Sequence, residues 1–283
     1  KELRIFLHKK GIVYNKKKMQ KMYIAPIALF TYKRVETLRK VIHSLKSNSL
    51  ASRSKLFIYS DGYKNSLDFE QVKMVREYIY SLKGFLDINV IERSSNYGLK
   101  RNIVDGINNT LKDHTKVIVL EDDLKVSQNF LNYMNKGLEL YQNQTKVWHI
   151  SGYMPPMSKK LTNDSFFSRL MFCWGWGTWR DRWNKYIKDP LSKDPYYLQS
   201  KFNKKMKEDF DLNVKPSLFW SQVKKNMTGE FNNTWDIFWY SYIFLNYGLC
   251  LNPESSLVEN TGLDGSGTHF QAIPSHKNKD ISK

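Results

Sequence analysis

Residues 116–123 have the sequence KVIVLEDD, in which a short apolar run passes directly into three acidic residues. The apolar part is rich in Val and Ile, as is typical of a strand that is buried on both faces of a parallel sheet. Three earlier runs have a similar length and character, at residues 23–30, 56–60 and 86–91. These four runs predict four strands.

Segments with helical periodicity follow the earlier runs. Apolar residues recur at the spacing of an α-helix in residues 35–45, 72–82 and 99–111, the last after the turn residues 96–98. Repeated strand–helix–strand units imply a mostly parallel sheet with helices on both faces. The predicted fold class is therefore α/β, and ligands in such folds bind beyond the carboxyl ends of the strands.

The pattern changes after a further predicted strand at residues 147–151. Residues 152–230 are rich in Trp, Lys and Pro and have weaker periodicity, whereas residues 235–245 resemble a helix. We interpret this region as a second half that packs on the first without a clear linker. The expected divisions are a basic N-terminal segment (1–22), a first half (23–151), a second half of the same domain (152–270) and a basic tail (271–283).

The chain is strongly basic. Its 283 residues include 45 Lys+Arg and 27 Asp+Glu, which gives a formal net charge of +18. Most of the excess lies in residues 1–22 and 158–226. Such a charge favours polyanionic partners, namely nucleic acid, nucleotides or an anionic membrane surface. A lysine-rich solvated surface explains it equally well, so charge alone does not identify the partner.

The composition also predicts the compartment. Hydrophobic residues make up 41% of the chain, but no apolar run is long enough to cross a bilayer as a helix. There is no signal-peptide pattern. Cys173 and Cys250 provide neither a disulfide framework nor a clustered metal site. We therefore expect a cytoplasmic protein, with its basic segments able to contact the inner face of the plasma membrane.

Glu121, Asp122 and Asp123 are the most informative residues. Adjacent carboxylates repel one another, so they need a compensating cation or a solvated position. Their oxygens are hard ligands that suit Mg²⁺ or Mn²⁺, commonly together with substrate phosphates. An acidic start to a helix over residues 126–141 is the alternative explanation. The position at the end of a buried strand favours metal binding.

Polar side chains follow the first two strands as well. Thr31 and Tyr32 end the first strand, and Asp61 follows the second in the sequence Ser-Asp-Gly. Tyr32 offers a ring for stacking and Asp61 an acceptor for a base N–H, which together suit a nucleoside. Asp-Gly is also a common turn sequence. The three strand ends together therefore predict a nucleotide site more strongly than any one of them.

The order and spacing of these motifs resemble those of GT-A glycosyltransferases. The similarity is to family-2-like enzymes, including bacterial surface-glycan sugar transferases, and to the N-acetylglucosaminyltransferase I group, which share the E-D-D form of the DXD motif. It covers about residues 23–270. It implies a GT-A (Rossmann-like) fold with a nucleotide-sugar-binding first half and an acceptor-side second half. The matching segments are 25–45 (APIALFTYKRVETLRKVIHSL), 59–62 (YSDG), 96–102 (NYGLKRN), 120–124 (LEDDL), 173–180 (CWGWGTWR) and 262–269 (GLDGSGTH).

The resemblance implies roles in donor binding for individual residues. Thr31 and Arg34 would lie beside the nucleotide, and Asp61 would contact the base. Gly98 and Arg101 would approach the nucleotide-sugar, with Arg101 available to stabilise the leaving diphosphate.

The resemblance also implies a metal site. Asp123, the last position of the motif, would coordinate Mn²⁺ or Mg²⁺ bridging the diphosphate. Asp122 would contact the ribose or the sugar, beside Glu121. His269 matches a late histidine that reaches the metal or the pyrophosphate in several such enzymes.

An inverting sugar transfer needs a carboxylate within reach of the acceptor hydroxyl. Asp236 opens the predicted helix in the acceptor-side half and loosely matches the place of the catalytic base in the family. The alternative is an N-cap that binds backbone amides. Asp264 and Glu254 are the reserve candidates.

Tryptophan is concentrated in the second half, where seven of the eight fall within residues 174–239. We expect most of them in the core. Trp174 and Trp176 are flanked by glycine, and indole rings pack well on sugar C–H faces. We therefore expect these two to border the sugar site.

These observations favour a metal-dependent glycosyltransferase that moves a sugar from a nucleotide-sugar to a glycan or lipid-linked acceptor in bacterial surface polysaccharide biosynthesis. UDP is the preferred nucleotide, and inversion the preferred outcome, through the resemblance. A nucleic-acid-binding module would use the same positive charge but has no need of three carboxylates. A nucleotidyltransferase shares the metal and the diphosphate, but usually carries a Gly-rich phosphate loop near its N-terminus, which this sequence lacks.

Overall fold

The computed structural model describes residues 23–157, 164–213, 217–230 and 234–264. The four predicted strands are present and pair in parallel in the order β3-β2-β1-β4. The predicted α/β class with a mostly parallel sheet is confirmed. The strands are β1 (Ile27–Thr31), β2 (Lys55–Ser60), β3 (Asp87–Glu92) and β4 (Lys116–Glu121).

The first half contains three long helices, α1 (Val35–Lys46), α2 (Ser66–Tyr80) and α3 (Gly98–Asp113), as well as a short 3-10 helix (Ala51–Arg53). The start of α2 lies before the periodic segment because the side chain of Asn65 accepts hydrogen bonds from the amides of Leu67 and Asp68. Such an N-cap satisfies amides that have no partner within the helix. The cap therefore extends the helix beyond its apolar repeat.

The rest of the described chain alternates short strands and helices. These are β5 (Leu124–Val126), α4 (Phe130–Leu140), β6 (Val147–Ser151), β7 (Ser165–Ser168), β8 (Trp176–Trp179), α5 (Arg180–Lys188), α6 (Pro195–Ser200), α7 (Lys204–Phe210), α8 (Phe219–Met227), α9 (Asp236–Leu245), β9 (Leu249–Pro253) and β10 (Val258–Asn260). Two 3-10 helices, Pro190–Ser192 and Thr261–Asp264, complete the set. Within the described ranges, no helix has the length and apolar character needed to span a membrane.

The sheet continues from the first half into the second. It has eight strands in the order β3-β2-β1-β4-β8-β6-β9-β7. Strand β8 pairs antiparallel with both β4 and β6, and β7 pairs antiparallel with β9. The β4–β8 approach is close at Gly177, where a Cβ atom would lie 2.9 Å from the carbonyl oxygen of Val117. Glycine therefore permits this pairing, which joins both halves in one sheet.

Alternate residues of β4 pack on opposite faces of the sheet. Ile118 and Leu120 belong to one buried cluster, with residues of α1 and α4, whereas Val117 and Val119 belong to another, with residues of α3, α5 and α9. Both faces are therefore covered by helices. This explains the continuous apolar run, in place of the alternation that a half-exposed strand shows.

Aromatic rings fill the space between β8 and helices α5 and α9. The rings of Trp176, Trp183 and Trp239 are completely buried, with the Trp183 and Trp239 centroids 5.3 Å apart. The expectation that most tryptophans belong to the core is confirmed. The prediction that Trp176 borders a sugar is not met, because its ring stacks on His149 and Trp235 inside this cluster.

His149 is a buried histidine within the same aromatic cluster. Trp239 Nε1 donates to its Nδ1 over 3.3 Å, and its Nε2 lies 3.0 Å from the carbonyl oxygen of Phe172. An indole N–H only donates, so Nδ1 must accept and Nε2 must carry the proton. Burial lowers the pKa of His149 to about 3. The native protein therefore holds this ring in its neutral form.

This geometry predicts an acid-dependent loss of stability. Between an unfolded pKa of about 6.5 and the folded value of about 3, only the unfolded chain takes up a proton on this ring. The free energy of unfolding should fall by about 1.4 kcal/mol for each pH unit below about 6, from this group alone. In His149→Asn that contribution should be absent, as measured by urea unfolding at pH 7, 6 and 5. The control is the exposed His43, where His43→Asn should keep the wild-type slope. Equal slopes for wild type and His149→Asn would contradict this account.

Candidate functional site

The carboxyl ends of β1, β2 and β4 lie side by side. Thr31 at the end of β1 is in register with Ser60 on β2, and Phe30 is in register with Glu121 on β4. The residues that follow these strands therefore share one edge of the sheet. The sequence predicts polar groups at this edge, and the structure brings them together.

Arg34 is the cation that faces the acidic residues. Its Nη2 lies 2.5 Å from Asp122 Oδ1 and 2.9 Å from Asp123 Oδ2. The side chain is 28% exposed, and its buried Nη1 has no hydrogen-bond partner among the described residues. One guanidinium group therefore pairs with two adjacent carboxylates and offsets one of their two negative charges.

Asp122 connects the end of β4 to the end of β1. Its Oδ2 accepts hydrogen bonds from the Thr31 hydroxyl (3.0 Å) and the Tyr32 amide (3.1 Å), while Oδ1 accepts from Arg34. Burial raises the pKa of Asp122, whereas the charge of Arg34 acts to lower it. These three bonds leave one acceptor site on Oδ1, but the Asp122 side chain is only 5% exposed, so the ribose or sugar contact predicted for it stays a prediction.

Asp123 is the more accessible of the two. Its side chain is 15% exposed, and the hydrogen bonds of the described residues leave its Oδ1 without a donor. Its carbonyl oxygen accepts from the amide and hydroxyl of Thr261. A Cβ atom on Gly262 would lie 2.6 Å from Asp123 Oδ2. Glycine is therefore what lets the 3-10 helix Thr261–Asp264 pass beside this carboxylate.

Glu121, from the first half of the chain, and Asp236, from the second, are near enough for the charge of one to affect the other. Burial raises the pKa of Glu121 well above its usual range, and the carboxylates of Asp123, Asp122 and Asp236 raise it further. Cys173 Sγ lies 3.8 Å from Asp236 Oδ2, and burial raises the pKa of this thiol well above its usual range. A protonated thiol is a weak donor, so Cys173 helps to hold Asp236. Asp236, which the sequence predicts as the base, thus lies near the carboxylates that follow β4.

The N-cap positions of α4 and α9 are held neither by the carboxylates of residues 121–123 nor by Asp236. Strand β5 follows the three carboxylates, and α4 begins only at Phe130, after Asn129 as its cap. Asp236 is the first residue of α9 itself, and Trp235 occupies the cap position without a side-chain bond. The alternative explanation of residues 121–123 as a helix cap is therefore wrong, whereas Asp236 begins α9 as predicted and its role as a base stays a prediction.

Asp61 organises the loop that leads into α3. Its two oxygens accept hydrogen bonds from the amides of Gly62, Tyr97 and Gly98, at 2.7–2.9 Å, and from the side chain of Asn96 at 3.3 Å. Gly98 has a φ of +70°, a conformation that favours glycine. The four acceptor sites of the carboxylate are thus occupied. A base N–H would have to replace one of these donors.

Tyr32 lies at the same edge and is anchored by its hydroxyl group. This hydroxyl donates to Asp68 over 2.6 Å and accepts from the amide of Lys64. Lys33 Nζ also lies 2.6 Å from Asp68. Burial and the Asp68 hydrogen bond raise the pKa of Tyr32 to about 12. The ring is therefore held in place and only partly buried, as a stacking platform requires.

The remaining predicted residues are dispersed. The guanidinium of Arg101 lies over the ring of Tyr97, with Cζ 3.7 Å from the centroid, and lines a groove between α3 and α5. Trp174 is partly buried against Tyr153, with centroids 4.4 Å apart. Glu254 binds the hydroxyl of Ser255. His269, the side chain of Asp264, and residues 1–22 and 271–283 lie outside what the structure describes.

The pattern of motifs did not identify Cys173, Lys100 or Gly262 as parts of the site. Cys173 and Gly262 begin two of the segments that resemble family motifs, at residues 173–180 and 262–269, but only the fold shows what each residue contacts. Lys100 lies within the Asn-Tyr-Gly motif segment and has its Nζ 4.3 Å from the ring centroid of Phe238, on the helix that begins with Asp236. The available signal was a lysine two residues after Gly98, in the first turn of a helix.

Comparison with known proteins supports the resemblance on which these roles rest. The sequence profile of the GNT-I family matches residues 1–186. The chain belongs to the GNT-I family. The predicted relationship to the N-acetylglucosaminyltransferase I group, and with it the glycosyltransferase class, is confirmed. No curated protein sequence gives a significant match.

Similar solved structures include several proteins of low sequence identity. S. aureus TarS shares 12% identity and a TM-score of 0.32, over 49% of this chain and 23% of that one. The mannosyltransferase PcManGT from Pyrobaculum calidifontis, solved with GDP-Man and Mn²⁺, shares 13% identity and a TM-score of 0.31, over 48% of this chain and 40% of that one. An apo UDP-glucose pyrophosphorylase shares 12% identity and a TM-score of 0.41, over 84% and 93%. The GNT-I family chain thus matches less than half the length of the first two, and similarity at this level does not extend to function.

The carboxylate pair of this GNT-I family member is compatible with one divalent cation. The described residues contain no group of three or more His, Cys, Asp or Glu that could form a complete protein site. Mg²⁺ and related ions, however, are usually held by one or two carboxylates together with substrate phosphates. The partly exposed Asp123 carboxylate meets the first part of this requirement, and the charge of Arg34 beside it suits a phosphate.

Arg34 should be essential for stability when no other cation is present. Arg34→Met leaves Asp122 and Asp123 adjacent with no counter-charge, so we expect it to lower the free energy of unfolding by about 3 kcal/mol at pH 7.5. The loss should shrink towards pH 4.5, because protonation removes the repulsion in the variant. Arg39→Met, which breaks an exposed pair with Glu36, should cost less than about 1 kcal/mol. Urea unfolding with chelator present measures both. Equal costs for the two variants would contradict the role given to Arg34.

Proposed function

We propose that this chain transfers a sugar from a nucleotide-sugar, preferably a UDP-sugar, to a hydroxyl of a glycan or lipid-linked acceptor. The observation that carries the proposal is the meeting of two acidic groups from opposite halves of the chain. Asp122 and Asp123 lie beside Arg34 at the sheet edge, and Asp236 lies close enough to Glu121 to raise its pKa. Sugar transfer needs such an arrangement, with charge stabilisation for the leaving group beside a base for the acceptor.

Donor binding uses the edge formed by β1, β2 and β4. We assign the nucleoside to the space beside Tyr32 and the loop held by Asp61, and the diphosphate to the region of Arg34 and Asp123. Asp123 is the residue we assign to Mn²⁺ or Mg²⁺, since its free oxygen is the hard ligand these ions prefer. When bound, such an ion offsets the negative charge that develops on the departing diphosphate. Arg34 contributes a second positive charge from the protein itself.

Transfer with inversion follows from a base on the opposite side of the sugar. The acceptor oxygen forms a bond to the anomeric carbon while the bond from that carbon to the diphosphate oxygen breaks. The diphosphate keeps the electron pair, and the acceptor proton passes to the Asp236 carboxylate. The thiol of Cys173 orients that carboxylate over 3.8 Å. A single in-line displacement of this kind inverts the anomeric configuration.

The biological setting is part of the same proposal. It is a role in bacterial surface polysaccharide synthesis, with the protein held peripherally at the inner face of the plasma membrane. This location would explain the excess of positive charge. The formal net charge of +18 would favour contact with anionic lipids, where lipid-linked acceptors are found.

Two substitutions should separate donor binding from chemistry. Asp123→Asn should weaken Mn²⁺-dependent binding of the nucleotide-sugar at least tenfold, because it removes the charged ligand. Asp236→Asn should leave that binding within twofold of wild type and lower turnover by about 10²–10⁴, the usual contribution of a general base. Asp113→Asn, at the exposed end of α3, is the matched control. Calorimetry and a transfer or donor-hydrolysis assay measure the two effects.

The donor class is tested in the same assays. UDP-, GDP- and CMP-sugars are compared with and without Mn²⁺, beside a nucleoside triphosphate plus a sugar 1-phosphate. Mn²⁺-dependent binding of a nucleotide-sugar supports the proposal. Condensation of the triphosphate with the sugar phosphate would identify a nucleotidyltransferase. An Asp236→Asn variant with nearly full activity would place the base elsewhere.

A further inference from the structure

A groove of about 500 Å³ lies between α3 and the segment formed by α5 and the 3-10 helix Pro190–Ser192. This volume is within the range of sites that hold small molecules. Tyr97 and Val104 line it from α3 and the preceding turn, and Tyr186 and Ile187 line it from α5. The donor site proposed above uses none of these four side chains, and Arg101, which the resemblance assigns to the leaving diphosphate, lies in this groove instead.

The groove carries positive charge that no carboxylate of the described residues neutralises. Lys100, Arg101 and Lys193 line it, together with one acidic residue, Asp105. Asp105 is already paired with Arg93 over 2.6 Å. Among the ion pairs of the described chain, none includes the three cations of the groove.

Aromatic contacts hold two of these cations without neutralising them. Lys100 Nζ lies 4.3 Å from the ring centroid of Phe238, and Arg101 Cζ lies 3.7 Å from that of Tyr97. Such contacts fix the position of a cation but leave its full charge. Burial lowers the pKa of Lys100 because the charged ammonium group is partly removed from water. An anion beside it would offset this desolvation cost. An ordinary surface lysine has no such cost.

The groove also connects the two parts of the proposed active site. At one end, Tyr97 is bonded through its amide to Asp61 at the donor edge. At the other, the groove residue Tyr186 has its pKa raised by burial and further by the charge of Asp236. Phe238, which lies under Lys100, is on the first turn of the helix that begins with Asp236. A molecule in this groove would therefore lie beside the loop held by Asp61 and beside the first turn of the helix that begins with Asp236.

We propose that this groove binds the acceptor, and that the acceptor is a phosphorylated sugar whose phosphate lies on Lys100, Arg101 and Lys193. This inference rests on the proposed function and adds the chemical class of the second substrate. Phosphate is favoured because cations on two opposite walls can contact several oxygens of one group. The phosphate holds the sugar so that one of its hydroxyls faces Asp236.

The test compares two probes that differ only in the phosphate. A hexose 6-phosphate and the same hexose, each carrying a neutral coumarin dye, are titrated with the wild-type protein in saturating UDP and Mn²⁺, and binding is followed by fluorescence anisotropy. We expect the phosphorylated probe to bind at least tenfold more tightly. The difference should narrow between 50 and 300 mM NaCl, because salt screens accessible charges.

A charge reversal on one wall identifies the groove as the site. Lys193 is exposed, so Lys193→Glu should fold normally, and a thermal melt verifies this. The variant should bind the phosphorylated probe at least tenfold more weakly than wild type and leave the neutral probe unchanged. Lys112→Glu is the matched control, since it makes the same charge change on α3 beyond the groove. It should remain within twofold of wild type for both probes.

Three results would overturn the groove proposal while leaving the donor site intact. They are equal binding of the two probes, equal effects of Lys193→Glu and Lys112→Glu, and binding of the phosphorylated probe only when UDP is omitted, which would make the groove part of the donor site. UDP binding with Mn²⁺ is measured on the same samples. Failure of the wild-type protein to bind any nucleotide or nucleotide-sugar with Mn²⁺ would instead remove the proposed function and this inference together.

Discussion

Two neighbouring carboxylates at the end of a buried strand require a positive charge, and Arg34 supplies it. The guanidinium lies 2.5 Å from Asp122 and 2.9 Å from Asp123. Because Asp122 also accepts from the hydroxyl of Thr31 and the amide of Tyr32, the same interaction joins the ends of β1 and β4. These ion pairs therefore offset a repulsion that would otherwise separate the ends of the strands, and they fix the positions of the charged groups. A diphosphate and its counter-ion need such an arrangement ready before they bind.

The continuous sheet explains how Asp236, the base that we propose, is held near this edge. Strand β8 pairs with β4, and the aromatic cluster behind it positions α9, whose first residue is Asp236. Two faces of the candidate site are therefore fixed by one hydrophobic core, since a displacement of α9 would disturb the Trp239 and Trp183 contacts. These groups are therefore positioned when the domain folds, and little further ordering of them is needed when a substrate binds.

The sequence predicted the parts that depend on local pattern. The parallel strands, their helices and the polar groups that end β1, β2 and β4 follow from periodicity and from the rule that parallel strands end at a common edge. It did not predict β8, a strand of only four residues with a glycine at its centre, because its pairing depends on contact with β4 rather than on its own pattern. Long-range contacts also determine that Trp176 lies in the core. They likewise determine that the Asp61 oxygens accept hydrogen bonds from the amides before α3. Side-chain chemistry indicates what a residue can bind, but only the fold shows which neighbouring groups its side chain already contacts.

The central claim is that Asp123 holds a divalent ion at the donor edge beside Arg34. Crystals grown with UDP and Mn²⁺, and measured at a wavelength where manganese scatters anomalously, test it most directly. The account predicts one anomalous peak within coordination distance of an Asp123 carboxylate oxygen and of the diphosphate, with the nucleoside beside Tyr32. Bound UDP with no anomalous peak at Asp123, or with the peak at a different part of the molecule, would contradict it.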